Sequence, residues 1–201
     1  LRVLLLQLDG KLPNLALMRI AAHHRERCDE VELRRTGNPN IQMFDAPFDR
    51  VYASLIFESS RPLAFNVREI YPNAFIGGSG WVNLTGLQAI GIHTRKKDYS
   101  IYPAFKDSIG YTQRGCRFRC GFCKVPLMEG SVREVESVVD IWRGDPYPRN
   151  LLLLDNDFFG QPNWKARIAE IRDGDFKVCF NQGINARMLT DETAEAIASV
   201  K

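Results

Sequence analysis

Tyr111-Thr-Gln-Arg-Gly-Cys116-Arg-Phe-Arg-Cys120-Gly-Phe-Cys123-Lys-Val-Pro126 holds three of the chain's five cysteines within eight residues, separated by three and then two positions. Thiolates are soft ligands and select zinc, copper(I) or iron-sulfur clusters over hard cations. Structural zinc wants four ligands, usually as two pairs, and no second pair follows here. A fourth zinc ligand would have to come from His23, His24 or His93, all far upstream. A disulfide reading is weaker: the thiols are odd in number and no secretory signal precedes them. Iron-sulfur carriers saturate their cluster with four protein ligands, so three thiolates leave one iron without one.

That spacing resembles the radical S-adenosylmethionine superfamily, whose CxxxCxΦC motif is matched by Cys116, Cys120 and Cys123 with Phe122 in the aromatic slot. The resemblance implies a 4Fe-4S cluster on the three thiolates and a fourth iron that chelates the amino and carboxylate groups of S-adenosylmethionine. It further implies one-electron cleavage of the sulfonium to methionine and a 5'-deoxyadenosyl radical, which abstracts hydrogen from a substrate that the sequence does not name. An electron donor such as flavodoxin or ferredoxin is implied with it. The cofactor carries the hard chemistry and the protein positions and shields it. Gly115 and Gly121 suit a loop folded closely around a bulky group, and Arg114, Arg117, Arg119 and Lys124 put positive charge beside an anionic assembly or simply line a solvated loop.

Composition bounds the rest. The 201 residues are 45% hydrophobic and 25% charged, enough for one large or two small cores. A net charge of +3 and a pI near 8.6 permit a nucleic-acid partner without arguing for one. The opening Leu1-Arg-Val-Leu-Leu-Leu-Gln-Leu8 is too short to span a bilayer, and Asp9-Gly10 closes it where a signal peptide would continue. The expectation is a protein without a membrane partner, in a reducing cytoplasm, with a trimmed N-terminus since no initiating Met is present.

Upstream of the cysteines, apolar runs alternate with helical patterns. Arg2 to Leu8 reads as a buried strand, Leu15 to Arg27 as a helix after Pro13-Asn14, and Val31 to Arg34 as a second strand. After a Gly37-Asn38-Pro39 turn, Asp49 to Phe57 is a third strand, Pro62 to Ile70 a helix, and Asn73 to Gly78 a fourth strand. Alternation of this kind implies a parallel sheet with right-handed crossovers, which binds ligands beyond the carboxyl ends of its strands. The pattern resembles the flavodoxin-like cobalamin-binding domain that precedes many radical enzymes, including the Gly77-Gly78 turn. That domain's cobalt-ligating histidine should follow the first strand, yet Leu8 to Arg19 contains Asp9 and no His. Cobalamin held by such a histidine is excluded, and its lack argues against cobalamin altogether. Gly77, Gly78 and Gly80 read as a tight turn rather than a phosphate cradle. His24 and Cys28, four apart, could share a helix face and hold a metal, or form a polar edge and a small buried thiol. Arg95-Lys96-Lys97-Asp98 with Tyr99, Tyr102 and Pro103 reads as an ordered tether. Basic residues interleaved with aromatics can also stack on nucleotides, so tRNA or a nucleotide stays open as a substrate.

Downstream, Ser108 to Thr112 is a short strand leading into the cysteines. Ser131-Val-Arg-Glu134 has the form of a capping box, opening a helix that carries Val135, Val138, Val139 and Trp142 and stops at Gly144-Asp-Pro146. Leu151 to Leu154 is a strand ending in Asp155-Asn156-Asp157. Trp164 to Arg172 is a helix ended by Gly174, Phe176 to Phe180 is a strand ending in Asn181-Gln182-Gly183, and Thr190-Asp-Glu opens a last helix. Parallel barrels put chemistry on the loops after their strands. By resemblance to the radical enzymes, Asp155, Asn156 and Gln182 contact S-adenosylmethionine, with Asn185 and Arg187 behind them; strand-end solvation and helix capping are the plain alternative. The expected architecture is thus α/β: a flavodoxin-like parallel-sheet domain over 1–90, a linker over 91–107, and over 108–201 the first part of an incomplete (β/α) partial TIM barrel whose exposed edge calls for further strands. A non-catalytic iron-sulfur or zinc module is the rival to an enzyme. Val3, Gly78-Ser79-Gly80-Trp81, Pro126-Leu-Met-Glu-Gly130 and Gln182-Gly-Ile-Asn-Ala-Arg187 together look like a group of bacterial and phage radical S-adenosylmethionine proteins.

Overall fold

Val3, Leu4, Leu5 and Leu6 are each completely buried, and the first sheet is built around them. The computed structural model describes residues 1–35, 47–82 and 86–200. The expected turn at Gly37-Asn38-Pro39 and the chain's last residue, Lys201, lie outside them. The chain divides into two compact units, Leu1–Phe105 and Lys106–Lys201. No helix among the described residues is long and apolar enough to cross a membrane.

The first unit runs β1 (Arg2–Gln7), α1 (Leu15–Arg25), β2 (Glu30–Arg35), β3 (Arg50–Ser54), α2 (Arg61–Ile70) and β4 (Phe75–Gly77). All strand pairs are parallel, in the order β2-β1-β3-β4. Successive side chains of a strand point to opposite faces. Leu4 and Leu6 therefore pack with Val51, Ala53, Leu55 and the α2 residues Ala64 and Val67, while Val3 and Leu5 turn to the other face, where α1 contacts the strand. Helices cover both faces, which is why β1 is apolar without interruption. The mixed α/β architecture and four-stranded parallel sheet are compatible with a flavodoxin-like domain. α1 begins at Asn14, whose side chain accepts from the N–H groups of Ala16 and Leu17. It ends at Arg25, earlier than the sequence pattern suggests. Cys28 sits beyond the end at φ 61° and exposed, so it does not share a helix face with His24.

In such a sheet the ligand crevice lies where strand order reverses, between β1 and β3. Here the chain's own residues fill it. Gln7 is buried and donates to the carbonyls of Asp9, Gly10 and Leu12, while its Oε1 accepts from the Tyr102 hydroxyl at 2.8 Å. That hydroxyl in turn accepts from Asn14 N–H at 3.1 Å, and Asn14 Nδ2 donates to Ser54 Oγ at 2.8 Å. Asp9, at the position of the expected cobalamin motif, accepts from the N–H groups of Ile56 and Phe57 at 2.7 and 2.9 Å. The glycine turn lies against β3's exit: a Cβ on Gly78, at φ +103°, would sit 2.0 Å from Leu55 O. Residues 91–105 pack on this unit, with Arg19 donating to Thr94 O, Asp98 N–H to Met18 O, and Arg25 pairing with Asp98 at 2.7 Å.

The second unit runs β5 (Ser108–Gly110), β6 (Gln113–Arg114), α3 (Val125–Glu129), β7 (Arg133–Glu134), α4 (Val138–Ile141), β8 (Asn150–Leu153), α5 (Trp164–Asp173), β9 (Lys177–Phe180) and α6 (Asp191–Ala198). β5, β8 and β9 form a parallel sheet in sequential order. Leu151 and Leu153 face a core with Val138, Ile141, Phe158, Ile168, Ile171 and Phe176, joined by Ala196 and Ile197. The alternate positions Ile109, Leu152 and Cys179 stand side by side on the other face. Ile109 is buried, Leu152 half-buried and Cys179 exposed, so the second face is the less covered one.

The capping box expected at Ser131-Glu134 is not formed. Arg133–Glu134 is instead a strand antiparallel to Gln113–Arg114, and the Glu134 carboxylate goes to Arg167 and Asn163. With that side chain engaged by α5 and its flank, the capping box falls at Ser137 and Asp140. The helix it opens is one turn, Val138–Ile141, and Val139 lies outside the core at 54% exposure. Thr190 caps α6 reciprocally with Thr193.

Candidate functional site: the cysteine loop

The cysteines lie on an excursion from the carboxyl end of β5, pinched at its neck by the β6–β7 pair, with Gln113 opposite Glu134 and Arg114 opposite Arg133. Gly115 opens it at φ +83°, where a Cβ would stand 2.3 Å from Ser131 O and 2.8 Å from Gly130 O. Only glycine both adopts that angle cheaply and lets the returning backbone approach so closely. One-turn α3 follows the last cysteine, and Gly130, at φ +71°, turns the chain back.

Three buried or nearly buried carboxylates hold this excursion on β8. Asp155 Oδ1 accepts from Thr112 Oγ1 at 2.8 Å and Gln113 N at 2.6 Å, and its Oδ2 from Thr112 N at 3.3 Å. Burial pushes the Asp155 carboxyl above the usual carboxylate range, and these donors pull it back in part. Thr112 Oγ1 also accepts from Gln161 Nε2 at 2.9 Å, completing both roles of the hydroxyl. Asp157 pairs with Arg117 at 2.7 Å, and its carbonyl accepts from the Gln113 side chain. Glu129 accepts from Arg114 Nη2 at 2.6 Å, Gly115 N at 2.8 Å and Asn156 Nδ2 at 3.1 Å. Two of the four basic residues in the stretch, Arg114 and Arg117, are thereby committed to internal carboxylates, and each also lies over a neighbouring ring, Tyr111 and Phe118.

The cysteines themselves are free thiols, with Cys116 and Cys123 half-buried and Cys120 exposed. Cys123 N–H donates to Cys120 O at 3.0 Å, closing a turn, and Phe118 N–H donates to Cys116 Sγ at 3.4 Å. Burial pushes the Cys116 thiol above its ordinary value. The Phe118 N–H lowers it, and the charges of Asp157, Cys123 and Cys120 add to the rise. Among the described residues no group of three or more His, Cys, Asp or Glu side chains is positioned to hold a metal ion. The donor set nonetheless fits a thiophilic centre chemically. It offers three uncapped thiols on a loop fastened at both ends and open at its tip, where a Cβ on Gly121 would meet nothing within 4 Å.

Phe122 is 93% exposed and Leu127 86%, so neither contributes to packing. Asn156 is half-buried and donates to Glu129. Gln182, Asn185 and Arg187 follow β9, the next strand of the same parallel sheet, and are exposed; Asn185 accepts from Arg187 N–H at 3.2 Å and begins a short turn of helix. β5, β8 and β9 run parallel, so the cysteine loop, the Asp155 cluster and the Gln182 turn all leave the sheet at its carboxyl edge. Asp157 and Glu129 were not singled out by the sequence pattern. Glu129 had one signal, being the only acidic residue between Asp107 and Glu134 in a stretch rich in arginine. No family model matches the chain, and no curated protein matches it.

Proposed function

We propose that this chain carries the cluster-binding part of a radical S-adenosylmethionine enzyme. The observation that carries the reading is the Cys116, Cys120, Cys123 spacing on a loop that leaves the carboxyl edge of a parallel sheet and is clamped at both ends. The sequential strand order β5-β8-β9, with helices on one face, supports a partial (β/α) barrel as the frame. In this reading the three thiolates hold a 4Fe-4S cluster, and the chemistry such a cluster supplies is one-electron reduction of the S-adenosylmethionine sulfonium, releasing methionine and a 5'-deoxyadenosyl radical. Phe122, exposed beside Cys123, shields the site, and Gln182 offers a free amide to the cosubstrate, with Asn185 and Arg187 as further polar contacts. Asp155 and Asn156 act one step back: their polar atoms engage Thr112, Gln113 and Glu129, so they fix where the strand exit and loop stand. The Gln7 and Tyr102 contacts that fill the crevice of the first unit support a scaffold without cobalamin.

The test is anaerobic reconstitution with iron and sulfide. The expected product is brown and EPR-active, with a spectrum altered by added S-adenosylmethionine. Cys116→Ala, Cys120→Ala and Cys123→Ala each abolish it, while Cys28→Ala and Cys179→Ala do not. A colourless protein that binds one zinc and no sulfide would refute the reading in favour of a non-catalytic module.

A further inference from the structure

We infer that Glu129 is a positioning residue for the cysteine loop, a latch that holds its two ends together and against the exit of β8; this rests on the reading of the triad as a cluster site. Its carboxylate touches three separate places. Oε1 accepts from Arg114 in the neck, while Oε2 accepts from the Gly115 N–H immediately before Cys116 and from Asn156 at the end of β8. The side chain is only 8% exposed, so these bonds form away from competing water and are charge-assisted. Glu129 is also the last residue of α3, the helix that follows Cys123, and its carbonyl accepts from Arg133 in the returning strand. One residue thereby closes the loop that contains all three cysteines. The close approach of Gly115 to Ser131 O is the backbone counterpart of the same closure.

Such a latch does for the thiols what second-shell partners do for metal ligands: it fixes where they stand before the metal arrives. Without it, residues 115–129 are held only by the Arg117–Asp157 pair and by the β6–β7 pair, which has only two residues in each strand. Loss of a carboxylate with three donors raises the open fraction of the loop about tenfold or more. Half-buried Cys116 and Cys123 become more accessible, whereas exposed Cys120 changes little.

The experiment compares wild type, Glu129→Ala and Glu129→Gln as the apo chain and after supply of iron and sulfide. Pulses of N-ethylmaleimide on the apo chain, mapped by peptide mass spectrometry, report each thiol separately, with Cys28 and Cys179 as internal references. The expected result is about tenfold faster alkylation of Cys116 in Glu129→Ala, unchanged reference cysteines, reduced iron and sulfide content, and a broadened or shifted EPR spectrum. Glu129→Gln, which keeps an acceptor for the Gly115 N–H, restores part of the protection and of the loading. Asp140→Ala, which removes the α4 capping box without touching the loop, lowers stability and leaves the Cys116 rate alone. Equal Cys116 rates and equal cluster content in wild type and Glu129→Ala overturn the latch. If Glu129→Ala unfolds, all five cysteines accelerate together and Glu129→Gln carries the same comparison. If wild type takes up no cluster while Cys116 still accelerates selectively, the cluster reading falls and the latch stands.

Discussion

Asp155→Ala separates two roles that one carboxylate at a strand end could have. The substitution removes the acceptor for Thr112 Oγ1, Gln113 N and, more weakly at 3.3 Å, Thr112 N. Thr112 and Gln113 are completely buried, so water does not replace the lost oxygen atoms. A buried donor left unsatisfied costs about 1–3 kcal/mol, and two strong donors are affected. Relief from burying a charged group returns part of this, which leaves a net destabilisation of about 3 kcal/mol. With a urea dependence of about 2 kcal/mol per molar, the unfolding midpoint of the second unit falls by about 1.5 M. Hydrogen exchange gives the local readout: protection is lost first at Thr112 and Gln113. Asp155→Asn, which keeps one acceptor oxygen, falls between the two. A midpoint for Asp155→Ala within about 0.3 M of wild type, together with unchanged exchange, would show that the network contributes nothing. A loss of S-adenosylmethionine response at full stability would assign the carboxylate to the cosubstrate instead.

Gly115→Ala is expected to cost about 3 kcal/mol, because it adds the left-handed backbone penalty to a contact that forces backbone apart at Ser131; Gly183→Ala, at φ +79° with open space around it, costs only about 1 kcal/mol. Thermal unfolding of the two variants should therefore differ clearly, and equal shifts would discount the closure at Gly130 and Ser131. His24 supplies the pH dependence. It is buried between Asp29, 2.7 Å from Nδ1, and the Tyr52 hydroxyl, 3.0 Å from Nε2, and burial outweighs the raising effect of Asp29 to hold its pKa below the ordinary 6.5. Below pH 6.5 the unfolded chain binds a proton that the folded chain refuses, so stability is full above that pH and falls as acid is added. His24→Gln should flatten this part of a stability-against-pH curve; an unchanged slope would mean that folding does not move the His24 pKa, and a steeper one that the imidazole is held protonated in the fold.

Much of the fold was legible because it rests on local pattern. The apolar run Val3 to Leu6, the caps at Asn14 and Thr190 and the stop at Gly174 all act within a few residues. The misplaced capping box shows where local pattern gives out. Ser131 and Glu134 have the right spacing, but Glu134 is taken by Arg167, 33 residues away, and the strand pairing with Gln113 claims its backbone. The segment 91–105 shows the same thing from the other side. Its charges and aromatics suggest a tether, yet Tyr102 reaches Gln7, 95 residues back, and closes the crevice of the first sheet.

Sequence alone determined the identity and spacing of the thiols, the alternation of strands and helices, and the absence of a cobalt-ligating histidine after β1, since each is a property of residue type and separation. Tertiary structure alone decided which carboxylate meets which donor. Asp155 bonds residues 43 and 42 positions earlier, and Asn156 reaches Glu129 across 27. Those partners are set by the parallel register of β5 on β8, which brings distant strand ends to one edge, and no periodicity within either segment encodes that meeting.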